Sequence, residues 1–200
     1  MSILKLNIIR FCVAFISLFA VSYSIYYSGF NIFEVFAQFT YISNLSVIVI
    51  LFLISFNFIS DKNILFVLPQ ITLTYIIFAL LLSKGIVNET PYSLVEHYFL
   101  PIYLLCDYFL FVKERAKIYK VLTVLVTYTV IYMIYMYSYG YFSGYYPYFF
   151  IDLTINPLWK VVATSIAIII LVYVIFFVIV AAKQAQNKIY KRFSDKRNTI

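Results

Sequence analysis

Charge is scarce in this chain, and so are the residues that break or staple a fold. Only 12% of its 200 residues are charged, against about 25% in an ordinary soluble domain. Four glycines and five prolines exclude a collagen-like or linker-like chain, and two cysteines exclude a disulfide scaffold. A single histidine with two separated cysteines makes no zinc constellation. Glycine-rich phosphate loops, G-x-S-x-G elbows and H-E-x-x-H pairs are missing as well. No metal and no organic cofactor is expected.

What fills the chain instead is apolar and aromatic. Hydrophobic residues make up 64%, Tyr and Phe number 21 each, and the mean hydropathy is +0.96. A membrane-spanning helix needs about 20 mostly apolar residues, because the hydrocarbon core is about 30 Å thick. Six runs qualify: Phe11–Ser28, Ala37–Ser60, Ile64–Ser83, Val95–Val112, Val121–Tyr139 and Val161–Ala182. Their continuity, without inside/outside alternation, selects helices over barrel strands. The expected fold is an all-α polytopic bundle of six transmembrane helices.

The basic residues orient it. With a cytoplasmic N-terminus, the inner segments collect Lys5, Arg10, Lys62, the basic loop from Lys113 to Lys120, and every basic residue from Lys183 to Arg197. Only Lys84 and Lys160 fall outside, which is the positive-inside asymmetry. Both termini are then cytoplasmic. Residues 1–182 form the transmembrane domain and residues 183–200 a basic cytoplasmic tail. The net charge of +7 is assigned to topology and to anionic lipid headgroups rather than to nucleic acid. Cys12 and Cys106 fall inside helices and read as reduced packing residues.

Within such a chain the polar residues carry the information, since each is costly unless paired or facing water. Phe39-Thr40-Tyr41-Ile42-Ser43-Asn44-Leu45 opens the second helix, with Thr40 and Asn44 four apart on one face. Glu96-His97-Tyr98-Phe99-Leu100-Pro101 opens the fourth and holds the only histidine. Pro101 has no N–H, so the carbonyl of His97 loses its ordinary helical donor. Both helices run inward, which places Thr40 and His97 at similar depth near the outer leaflet. Asp107, about 15 Å deeper, is expected to tie helices together or to line an inner cavity. Asp152 lies on the outer side, as a loop-structuring residue or as an orienter of the imidazole. The Tyr/Phe-rich stretch around it reads as an interfacial belt shaped by Gly140, Gly144 and Pro147.

These segments, together with Tyr146-Pro147-Tyr148-Phe149-Phe150-Ile151-Asp152, resemble the androgen-induced-gene family of integral membrane threonine hydrolases, which includes the androgen-dependent TFPI-regulating protein. The resemblance is to the bacterial branch and covers most of the chain. It implies that Thr40 is a nucleophile and His97 its catalytic partner, and that the substrates are fatty-acid esters of hydroxy fatty acids. It also implies a bacterial plasma membrane as the location. Phe149-Phe150 stands where relatives often carry another proline, and Asn156-Pro157-Leu158-Trp159 departs from their glycine-containing pattern, both bearing on substrate shape. Asn44, one turn below Thr40, is the expected oxyanion donor. The expected partners are the bilayer and a lipid substrate, with a lipid hydroxyl replacing water if the enzyme is an acyltransferase. The alternative is a non-enzymatic carrier or binding protein for a lipid or small molecule.

Overall fold

A computed structural model describes residues 2–83, 89–113 and 116–197. Lys84, Arg115 and tail residues 198–200 lie outside the described residues. The described chain is helical, with no strand. Helix α1 spans Ile3–Ser28, α2 Ile32–Ala37, α3 Phe39–Ser55 and α4 Leu68–Ile77. Helix α5 spans Pro91–Phe111, α6 Ile118–Ser143 and α7 Leu158–Arg197. Helices α1, α5, α6 and α7 are long and apolar enough to cross a membrane, whereas Phe39–Ser55 and Leu68–Leu80 are shorter apolar helices.

Local chemistry explains most of the boundaries. Asn31 and Glu34 form a reciprocal capping box at the start of α2. The Thr90 hydroxyl accepts from the Ser93 N–H ahead of Pro91, a residue suited to a first helical turn. Gly144 ends α6 in the left-handed conformation, φ 74°. One turn earlier, a Cβ on Gly140 would collide with the Tyr146 ring, so this glycine lets the Tyr-rich loop fold back onto α6.

The core runs between α1, α3, α4, α5 and α7, centred on fully buried Leu51, Leu68, Leu104 and Phe176. The outside is strongly apolar: Phe19, Leu80, Leu110, Ile134 and Val178 are all exposed. An exterior of this kind belongs against lipid. Cys12 and Cys106 lie on that exposed surface rather than in the packing the sequence suggested.

Two residues counted as inner-face charges have buried structural roles instead. Arg10 on α1 makes a bidentate pair with Asp107 on α5, Nε to Oδ2 and Nη2 to Oδ1, each 2.8 Å, with both residues buried. Asp107 is thus a tie between helices. Lys183 is also buried, and its Nζ donates to the carbonyls of Tyr108 at 3.1 Å and Phe109 at 2.8 Å. Those carbonyls belong to the last turn of α5, which has no intrahelical donors left, so Lys183 caps that helix. Helix α7 continues without a break through the 182/183 boundary.

Candidate active site

Three departures from regular helix build the site. The first is Gln38, extended at φ −89°, ψ 117°, which separates α2 from α3. No proline or glycine causes this break; other elements hold it. Tyr132 on α6 donates to the carbonyl of Ala37 at 2.9 Å, and the Gln38 amide donates to the Tyr145 hydroxyl at 3.0 Å. Thr40 consequently stands in the first turn of α3, partly exposed.

The other two departures are π-turns on facing elements. Residues Phe78–Leu82 extend α4 as one π-turn, closed by the Ser83 N–H on the Phe78 carbonyl at 2.8 Å. Residues Val95–Phe99 form another within α5, closed by the Leu100 N–H on the Val95 carbonyl. The second is what Pro101 demands: its missing N–H removes the i→i−4 bond, and the longer π register absorbs the defect. The two turns meet where the His97 ring stacks on Phe78, with centroids 3.6 Å apart and planes 2° from parallel. The stack fixes the imidazole plane. His97 is buried, and its Nδ1 has no hydrogen-bond partner among the described residues.

Thr40 and His97 line one cavity of about 270 Å³. Among the described residues no direct hydrogen bond joins them. Thr40, Phe78 and Tyr148 also wall a second, almost entirely apolar pocket of about 60 Å³. That pocket runs among Leu73, Met133, Met136, Ile168 and Val172. Thr40 therefore stands at the partition between a polar and an apolar space.

The supporting residues differ from those the sequence suggested. Asn44 is buried but lines neither space; its amide donates to the Thr40 carbonyl at 2.8 Å. That bond braces the first turn of α3, and Asn44 is placed behind Thr40 rather than on the wall of either space. Ser43 adds a second bond to the same carbonyl at 3.0 Å and one to the Thr74 hydroxyl at 2.8 Å, tying α3 to α4. Asp152 lies elsewhere too. Its Oδ1 accepts from the Thr154 N–H at 2.7 Å and the Thr154 hydroxyl at 2.6 Å, an Asx turn that structures the loop and leaves it no role in orienting His97. Pro101 shapes the π-turn, and Asp107 belongs to the Arg10 pair.

Two residues join the site that their sequence context did not single out. The Tyr148 hydroxyl lies 3.4 Å from the Thr40 N–H, from which it accepts. Burial pushes its phenol above the ordinary tyrosine value, so it keeps its proton and can donate. Glu96 turns inward beside His97 and lines the same cavity. Its Oε2 accepts from Ser24 at 3.4 Å, and Ser24 in turn meets the Tyr41 hydroxyl at 3.0 Å. Placement in a π-turn is the signal that would have found Glu96; its position near a helix start reads as solvent-facing.

No group of three His, Cys, Asp or Glu gathers for a metal among the described residues. No known protein family, curated protein or solved structure matches the chain. The class defined so far is an all-helical protein with membrane-length helices and a cavity walled by a threonine, a histidine and a glutamate.

Proposed function

We propose that the protein is an integral membrane hydrolase of fatty-acid esters, with Thr40 as nucleophile and His97 as general base. The observation that carries this reading is the cavity shared by Thr40 and His97, with an apolar pocket on the other side of Thr40. The carbons of the acyl chain nearest its carbonyl lie in the apolar pocket, the carbonyl reaches Thr40, and the alcohol half occupies the polar cavity. The resemblance to membrane threonine hydrolases points the same way.

Neutral His97 takes the Thr40 proton as Oγ1 forms a bond to the acyl carbon. The carbonyl electron pair moves onto oxygen, where the Tyr148 phenol donates to the oxyanion. Collapse of this intermediate breaks the bond to the alcohol oxygen, which leaves with the proton from the imidazolium. Water then adds to the acyl-threonine, giving its proton to His97. The Thr40 oxygen departs and recovers that proton. Ester and water become fatty acid and alcohol, and both side chains are restored.

The bundle is proposed to cross the bilayer six times, α3 and α4 with its π-turn supplying the two shorter spans, with both termini cytoplasmic. The positive-inside asymmetry supports this even with Arg10 and Lys183 set aside as buried tertiary partners. The site then opens near the outer leaflet, where an ester headgroup lies. A bacterial plasma membrane fits the branch that the sequence resembles.

The test is turnover of lipid esters by purified protein. Thr40→Ala and His97→Ala should each lower kcat/KM by about 10⁴-fold, as loss of one member of a nucleophile–base pair does. Thermal stability should stay near wild type. Equal turnover by all three proteins would remove the mechanism.

A further inference from the structure

We infer that the alcohol half of the substrate is a small neutral polyol, so that the preferred substrates are fatty-acyl esters of glycerol-like or sugar-like alcohols. Glu96 is the residue that sets this preference. The inference rests on the hydrolase reading, because that reading assigns the polar cavity to the alcohol.

The cavity wall carries hydroxyl, amide and carboxyl groups: Ser24, Gln38, Tyr41, Ser93 and Glu96. Among the described residues no Lys or Arg lines it. A carboxylate or phosphate placed here finds no cation among the described residues. Bringing such an anion out of water with no positive partner is strongly unfavourable. A neutral hydroxyl has the opposite fit. Glu96 is only 3% exposed, and while Oε2 accepts from Ser24, Oε1 is buried with no partner among the described residues. A buried acceptor left unmatched is costly, and a ligand O–H removes that cost. A polyol also meets the Gln38 amide, which both donates and accepts, and the Ser93 hydroxyl, which donates to Glu89 Oε2 at 2.7 Å and is left to accept.

This separates the chain from the substrates its family resemblance suggests. Esters of hydroxy fatty acids carry a free carboxylate on the alcohol half, whereas an acylglycerol carries hydroxyls there.

The experiment uses the full chain in lipid nanodiscs and two ligand pairs matched in their alkyl chains. One pair is non-hydrolysable, 1-O-hexadecylglycerol against 2-hexadecyloxypropanoate, and is read by equilibrium binding. The other is hydrolysable, 1-palmitoylglycerol against O-palmitoyl lactate, and is read by kcat/KM with Thr40→Ala as background. The glycerol ligand should be favoured by about tenfold or more in both readouts, because the carboxylate meets no cation in a cavity partly withdrawn from water. Glu96→Gln and Glu96→Ala should each narrow that preference by about threefold or more. Equal affinity for the two ethers overturns the inference, and so does a preference that both Glu96 variants leave unchanged. Should a variant fail to fold, the wild-type ether pair decides. Thr40-dependent cleavage of both esters at equal rates keeps the hydrolase reading and sinks this one. Glycerol-selective binding without any Thr40-dependent turnover removes the hydrolase reading, and the substrate assignment with it, and leaves the cavity as a binding site for a polyol headgroup.

Discussion

Among the described residues, the buried charged side chains at the Arg10 end of the bundle, Arg10, Asp107 and Lys183, all have partners, whereas at the Thr40 end Glu96 and His97 each keep a buried atom without one. Arg10 and Asp107 meet through two 2.8 Å bonds, and Lys183 is spent on the carbonyls that finish α5. At the Thr40 end, Glu96 Oε1 and His97 Nδ1 are buried without partners, and the helices carrying the site are loosened by two π-turns and a break at Gln38. Matched polar groups hold helices together. Unmatched ones, held rigid around a cavity, are available to a ligand. A protein keeps such groups only where something else returns the cost, and π-turns recur at such places.

Substitution can break this contrast from the structural side. Asp107→Ala leaves the buried Arg10 guanidinium with only the more distant, partly exposed Asp61 carboxylate at 3.9 Å and should cost about 3 kcal/mol, the largest loss of stability expected from a single substitution in this bundle. The double variant Arg10→Met with Asp107→Leu should recover most of it, since an apolar pair of similar volume needs no partner. Thermal unfolding of detergent-purified protein reads both. If the double variant were no more stable than Asp107→Ala, the pair would not be the tie described.

Tyr148→Phe probes the other end. It leaves the ring in place but deletes the hydroxyl beside Thr40, and kcat should fall by about 10²-fold or more while KM changes little. A fall confined to KM would move Tyr148 from the oxyanion to ground-state binding. Ser43→Ala is smaller. It removes the bonds to the Thr40 carbonyl and to Thr74 and should cost about 1 kcal/mol of stability. The smallest effect separates the two ends most sharply. Glu96→Gln should leave the unfolding temperature at or above wild type, because the residue it replaces is imperfectly paired. A loss as large as that of Asp107→Ala would mean that Glu96 is structural.

The fold was legible in the sequence to the extent that single residues or long runs dictate it. Apolar runs marked the long helices, Pro101 announced a defect in the turn holding His97, and Asp107 read as a buried tie because a carboxylate among apolar residues needs a partner. Its partner was not legible. Arg10 sits near the start of an apolar run and reads as an orienting charge, and only packing across 97 residues of sequence shows otherwise. The break at Gln38 was hidden for a similar reason: Tyr132 and Tyr145 impose it from a distant helix and loop. Asn44 misled because four-residue spacing puts it on the face of Thr40, while its amide is within reach of the Thr40 carbonyl and takes that instead. Tyr148 and Glu96 entered the site through a folded-back loop and a π-turn, neither of which spacing along a regular helix encodes.

The proposed chemistry turns on whether the Thr40 oxygen carries the acyl group. Treatment with an acylating or fluorophosphonate probe, followed by peptide mass spectrometry, reads it directly. One adduct is expected, on the peptide containing Thr40, absent in Thr40→Ala and formed far more slowly in His97→Ala. Labelling of another residue at the wild-type rate in Thr40→Ala would contradict it.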